Sequence, residues 1–335
     1  MTTQSSTESE QATQVQPGQP DFSIPSVDML AKQGARLGLG EEYTVDVRDT
    51  TPFLPKVAFV TITLASIAGA IFTGRNFGLD FGLQIVRWLI LWTMALSLGF
   101  SAWRTIYLHA RERGLDEVEI SALEAASVKH ARPITRFLAV LATVSTLAIT
   151  TIPYLDSGER IALMSAMGLT AVLLWVGVAQ RWTAGLILVG SIIQAVLWGA
   201  FDAVGTTAVT VRALHFVAFG LWLGGALWNL TVAIPSGRDH PVIDSVVGLA
   251  RQLQRFRWVV RFALPTVIIT GLIQTDVYRQ MPSSWWTSLP GVLIPVKVLL
   301  IIALIVIFIT CPLYRQCSPV KGVCKVDDLV DSSGN

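Results

Sequence analysis

The chain has 335 residues, 52% of them hydrophobic and only 14% charged, with a formal net charge of +2 and a mean hydropathy of +0.57. Soluble domains carry about 25% charged residues, so the composition excludes an ordinary soluble fold and points to an all-α, polytopic membrane protein. The small positive charge gives no footing for nucleic acid, because the basic residues cluster in loops beside apolar runs.

In chain order, residues 1–50 are rich in Gln, Ser, Thr and Pro. They lack the basic and apolar regions of a cleavable signal peptide and read as a disordered cytoplasmic tail, with a weak amphipathic pattern in SVDMLAKQGARLG. Crossing the hydrocarbon needs about 18 or more apolar residues. Eight such runs follow, near 56–74, 84–107, 135–154, 161–179, 182–201, 210–234, 259–278 and 291–313. The fourth and fifth are separated by Gln180-Arg181, and residues 314–335 form a second tail.

Lys and Arg in short connections favour the cytoplasmic side. The second and sixth connections are the basic ones, with Arg111, Arg113, Lys129 and Arg132 in one and Arg238, Arg251, Arg255 and Arg257 in the other. The first, third and seventh hold single arginines, Arg75, Arg160 and Arg279. Both termini are therefore expected in the cytoplasm, in a cell inner (plasma) membrane. Cys311, Cys317 and Cys324 then lie on the reducing side, where a disulfide framework is not expected, and their spacing is not a zinc pattern.

A constant offset of 125 residues relates the two halves: Val86-Arg87 matches Val211-Arg212, Leu98-Gly99 matches Leu223-Gly224, Trp103 matches Trp228, and Arg136-Phe137 matches Arg261-Phe262. This predicts two four-helix repeats, 56–180 and 181–313, entering the membrane in the same direction. Ile90 stands where the second half has His215, and Ser97 where it has Trp222, so any site belongs to the second half.

His215 is the one histidine inside a spanning run; His109, His130 and His240 fall at the cytoplasmic face. Ionisable groups in spans are costly and line cavities, partners or transport paths. On its helix His215 stacks with Phe219 and Trp222. Arg212 lies one turn earlier, Thr270, Gln274 and Asp276 rise along the seventh run, Gln194 and Asp202 along the fifth, and Lys297 sits about 10 Å below the outer boundary of the eighth. A ligand site open to the outside is expected, walled by the fifth to eighth spans, with His215, Trp222, Lys297, Gln274, Asp276 and Arg212 as its residues. Lys297 either snorkels outward, pairs with Asp276 or Asp202, or binds an anionic group such as a propionate or a quinone carbonyl. Trp285-Trp286 reads as an interfacial belt.

Three stretches carry a resemblance: LHFVAFGLWLGGAL (214–227), RFRWVVRFALPTVIITGLIQT (255–275) and LIPVKVLLIIALIV (293–306). Over about residues 181–313 the chain resembles the CopD family of copper-resistance membrane proteins. The resemblance implies an eight-helix protein of copper transport or homeostasis rather than an enzyme, with His215 as metal ligand, Trp222 and Lys297 as further positions of interest, and copper-binding or redox proteins beside membrane lipid as partners. Soft Cu(I) favours thiolate and thioether ligands, of which the outer half offers little beyond Met281. The same histidine helix is also similar to that of haem-associated membrane proteins of the HemJ type, which implies the alternative, a b-haem or quinone-linked redox role with a single His ligand. No Ser-His-Asp set, phosphate loop or paired metal carboxylates point to a hydrolase or kinase.

Overall fold

The computed structural model describes residues 53–76, 78–108, 112, 114–240, 242–276 and 281–314. The first tail, His109, Arg111, Arg113, Arg279, Cys317 and Cys324 lie outside the described residues, as does the side chain of Cys311. Among the described residues there is no strand.

Among the described residues ten α-helices follow one another: α1 (Phe53–Asn76), α2 (Phe81–Ala102), α3 (Glu117–Ala148), α4 (Ser157–Val176), α5 (Arg181–Asp202), α6 (Thr206–Trp228), the short α7 (Ile234–Asp239), α8 (Ile243–Thr275), the single turn α9 (Ser283–Trp286) and α10 (Leu289–Tyr314). Local chemistry sets several starts. Asp80 accepts the Leu83 amide at 2.8 Å and Asp116 the Val118 amide at 2.8 Å. Asp156 and Glu159 form a reciprocal capping box, which satisfies two of the amides every helix start leaves over. Between α4 and α5 the chain reverses through Gly177, whose φ of 104° is open to glycine and strained for other residues.

Six helices among the described residues are long and apolar enough to cross a membrane, and α1 and α10 add the apolar stretches Lys56–Phe72 and Gly291–Val306. The chain is therefore a helical, membrane-embedded protein. Boundaries of most elements fall within a few residues of the runs in the sequence, with two exceptions. The third and seventh runs extend backwards to Glu117 and Ile243, giving helices of 32 and 33 residues. At 1.5 Å per residue each is about 48 Å long, against about 30 Å of hydrocarbon, so their first turns project from the basic-rich end of the bundle. The acidic stretch DEVEI therefore opens α3. Its apolar side, Ile120, Leu123 and Ala126, is buried.

At the centre α2 packs along α6. The contact is backbone to backbone. A methyl group added at Gly220 would lie 3.2 Å from Ala95 Cα, and one at Gly224 would lie 2.6 Å from Gly99 Cα. Without a hydrophobic force between helices in lipid, such small-residue seams let dispersion and backbone contact hold the pair. Ala95 faces Gly220 and Gly99 faces Gly224, so residues 125 apart meet one another and the two helices run parallel. Both end in a π-turn, Trp103–Tyr107 and Asn229–Ala233. Tyr107, Trp228 and Phe256 close this end as one ring cluster, with centroids 5.2–5.9 Å apart.

Polar clasps tie the basic-rich end together. Arg255 donates to both carboxylate oxygens of Glu112, at 2.6 and 2.8 Å, and to the Tyr107 carbonyl at 2.7 Å. His240 Nε2 lies 2.6 Å from Glu119 and His130 Nε2 lies 2.9 Å from Asp239. Both histidines thus serve connections between α3 and the α7 region, at the opposite end from His215.

Candidate functional site

Packing around the central pair is uneven. On one side α4 lies against both α3 and α5, and α5 lies closely on α2. On the other, α10 packs along α1 and α8 along α6, while α1 touches α6 only lightly. The loosened side holds a cavity of about 120 Å³. It lies between α1, α2, α6, α8 and α10, with Asp202 the contribution of α5. The expected wall from the fifth span is thus largely replaced by α1 and α2.

Five of the six residues expected at the site line this one cavity: His215, Trp222, Lys297, Gln274 and Arg212. Asp276 does not; it is exposed beyond the last turn of α8. Gln194 also lies elsewhere, donating to Thr170 Oγ1 at 2.8 Å and to the Ala166 carbonyl at 3.2 Å on α4. Trp285 and Trp286 do not line the cavity, and Trp285 packs edge-on against Phe72 at 6.1 Å.

His215 reaches across to α8, with Nδ1 2.9 Å from Thr270 Oγ1. The Thr270 hydroxyl has one proton and gives it to the Thr266 carbonyl at 2.5 Å. Its oxygen is thereby left to accept from His215 Nδ1, and the Val267 backbone is a further hydrogen-bond partner of the ring. Gln274, one turn above, donates to the Thr270 carbonyl at 3.2 Å.

At the basic-poor end of the cavity Arg87 and Arg212 converge on one carboxylate. Asp202 pairs with Arg87 Nη2 and lies 3.7 Å from Arg212 Nη1, and Arg212 also donates to the Asp202 carbonyl. Tyr154, from the α3–α4 connection, accepts from Arg87 Nε at 3.0 Å and donates to Asp202 Oδ1 at 3.0 Å. Burial pushes the Tyr154 phenol up from its ordinary value, so it stays protonated and keeps that donor. The Asp202 side chain is fully buried, where a charge persists only with partners of this quality. Arg87 and Tyr154 were not singled out in the sequence. The 125-residue offset already paired Arg87 with Arg212, which was the available signal; nothing marked Tyr154.

Lys297 neither snorkels nor joins Asp202. Its stem crosses α1 at Gly69, where an added methyl group would lie 3.1 Å from Nζ and 3.5 Å from Cε. Among the described residues no carboxylate pairs with it. Among the described residues that line it, the cavity therefore carries the guanidinium groups of Arg87 and Arg212 and the amine of Lys297 against the carboxylate of Asp202. Under the 125-residue offset the corresponding positions hold Ile90 for His215, Ser97 for Trp222, Val172 for Lys297 and Gln194 for Gly69.

A metal or haem must be supported by this donor set. Among the described residues no three His, Cys, Asp or Glu side chains gather into a metal cluster. Met94 places a thioether on the cavity wall with His215. Haem does not fit: a cavity of about 150 Å³ accommodates a single benzene ring, and this one is about 120 Å³. The purified protein, expressed with ample haem, is expected to show no Soret band; a stoichiometric band shifted by His215→Ala would overturn that conclusion. Comparison with protein-family models, with curated proteins and with solved structures finds no match.

Proposed function

We propose that the chain is an eight-span protein of the inner membrane that captures an oxygen-bearing, anionic ligand from the extracytoplasmic side, in the cleft around His215 and Lys297. The eight spans form two parallel four-helix units, 56–180 and 181–313, with both termini in the cytoplasm. This reading is supported by Ala95–Gly220 and Gly99–Gly224 meeting across the central seam and by the basic second and sixth connections. It puts the basic-poor end, and with it the mouth of the cavity, on the outside.

The observation that carries the ligand class is Lys297. An amine turned inward onto Gly69, beside two arginines that share one aspartate, gives the described lining residues more basic than acidic side chains. A bound oxyanion or carbonyl oxygen would balance that excess through charge-assisted hydrogen bonds. His215 and Gln274 add polar contacts nearby. The redox alternative is kept in its quinone-linked form, since quinone carbonyls match the same donors.

Access and charge preference are tested together with Lys297→Cys in intact cells, using membrane-impermeant thiol reagents added outside. The native cysteines lie on the cytoplasmic side in this reading and stay unlabelled. Modification at position 297 is expected, faster with an anionic sulfonatoethyl reagent than with a cationic aminoethyl one because Arg87 and Arg212 remain. No modification, or faster modification by the cation, would remove the reading.

A copper role is the second reading. It rests on the CopD resemblance together with one feature of the cavity: the His215 imidazole shares the cavity wall with the Met94 thioether. If the cargo is copper, His215→Ala lowers cellular copper accumulation towards that of cells lacking the protein, as read by elemental analysis. Accumulation equal to the parent's excludes it.

A further inference from the structure

One face of α3 changes character along its length. Near the basic-rich end Lys129 and His130 are both answered by Asp239, at 3.2 and 2.9 Å. Further along, Phe137, Val140, Val144 and Leu147 are exposed apolar side chains, which in a membrane face the acyl chains. Between the two stretches stand Arg132 and Arg136, one turn apart and both exposed. Among the described residues neither guanidinium has a carboxylate, hydrogen-bond or ring partner.

Their depth matches the edge of a leaflet. Arg132 and Arg136 lie about 22 and 28 Å along α3 from Glu117. About 18 Å of this helix exceeds the hydrocarbon thickness, so Arg132 stands about one turn inside the apolar boundary and Arg136 about two. Their long stems carry both guanidiniums back toward the phosphate layer. Two like charges one turn apart repel, the more so where the dielectric falls. A phosphate held by both removes that repulsion, and arginine binds it through charge-assisted, bidentate hydrogen bonds.

On α8 the same charge is met from within the chain. The 125-residue offset takes Arg136 to Arg261 and Phe137 to Phe262. Arg261 lies over the Trp258 ring, 4.5 Å from its centroid, and Trp258 stacks on Phe262 at 6.1 Å. Such a cation–π contact balances part of the charge. The α3 position matching Trp258 is Pro133, which offers no π face, and α3 is left to draw its anion from the leaflet around it.

We infer that α3 carries a binding site for one anionic glycerophospholipid of the leaflet at the basic-rich end. Arg132 and Arg136 hold its phosphate, and its acyl chains lie along Phe137, Val140 and Val144. The site shares no residue with the cavity around His215, so it stands or falls independently of the ligand proposed there.

The test is native mass spectrometry of the full-length protein in a neutral detergent, titrated with dioleoyl phosphatidylglycerol or with dioleoyl phosphatidylcholine. One phosphatidylglycerol per chain is expected to remain bound at concentrations where phosphatidylcholine does not. The double variant Arg132→Gln, Arg136→Gln is expected to weaken that binding roughly thirtyfold, about fivefold for each arginine facing anionic lipid. The double variant Arg132→Lys, Arg136→Lys keeps the charge without the planar fork and is expected to fall between it and the parent. Arg261→Gln is expected to bind as the parent does. Equal retention of the two lipids by the parent, or parental binding by the glutamine pair, overturns the inference. A loss in Arg261→Gln as large as in the glutamine pair overturns the assignment to α3, since any surface arginine would then serve. Parental binding by the lysine pair overturns the bidentate hold. Displacement of the bound lipid by an equal concentration of glycerol 3-phosphate overturns the lipid as occupant and assigns the arginines to a soluble phosphate.

Discussion

Asp202→Ala is expected to remove most of the folded protein from the membrane. Asp202 receives Arg87, Arg212 and Tyr154 at once, joining α2, α5, α6 and the α3–α4 connection. Removing one member of a buried charge pair costs about 3–5 kcal/mol, because its partners keep their desolvation without their compensation. Two guanidiniums lose this carboxylate, one of them almost wholly buried. Against a total stability of about 5–15 kcal/mol, that is a large fraction. The measurement is the yield of monodisperse protein after detergent extraction, followed by its thermal unfolding midpoint. The double variant Arg87→Met, Asp202→Leu is expected to recover part of the loss, since the almost wholly buried guanidinium is removed together with its carboxylate and only the more exposed Arg212 loses Asp202; a single variant as stable as the parent would show that the cluster carries no structural weight.

Gly224→Val is expected to be about as damaging, for a steric reason. At this position even a methyl group would meet Phe100 N at 2.5 Å and both Gly99 Cα and the Leu96 carbonyl at 2.6 Å. These are backbone atoms, which cannot rotate aside as a side-chain tip does. The helices must part, and overpacking a tight core already costs about 1–3 kcal/mol per site. A branched side chain at a backbone contact belongs at or above the upper end. Gly99→Val is expected to behave the same way, because it strikes Gly224 from the opposite side. Gly185→Val makes a useful contrast: a methyl group there meets only Thr105 Cγ2, at 3.9 Å. Equal thermal midpoints for the Gly185 and Gly224 variants would refute the role of the seam.

How far the site was legible in the sequence follows from the kind of signal each residue carries. His215, Arg212, Gln274 and Lys297 stood out because a polar side chain in an apolar run is costly wherever the helix turns. That cost is local and is readable from the run itself. Asp276 satisfied the same test and lies outside the cavity, since at the end of a span a carboxylate reaches water and pays nothing. Arg87 was visible as the partner of Arg212 under the 125-residue offset, yet its association with Asp202 spans 115 positions. Tyr154 gave no signal, because a tyrosine in a connection between spans is unremarkable until its hydroxyl is found between two charges.

By itself the sequence determined that the chain enters a membrane, where most of its helices lie, which connections are basic and which polar groups must be accommodated at depth. These are matters of composition and of period along one strand of chain, and lipid enforces them locally. Tertiary structure decided which helices wall the cavity: α1 and α2 rather than most of α5, because α10 pairs with α1 and leaves α8 to α6. It also decided that Lys297 turns inward over Gly69 instead of rising to the interface. That choice depends on a gap of one missing side chain on a helix more than two hundred residues away, which no local pattern encodes.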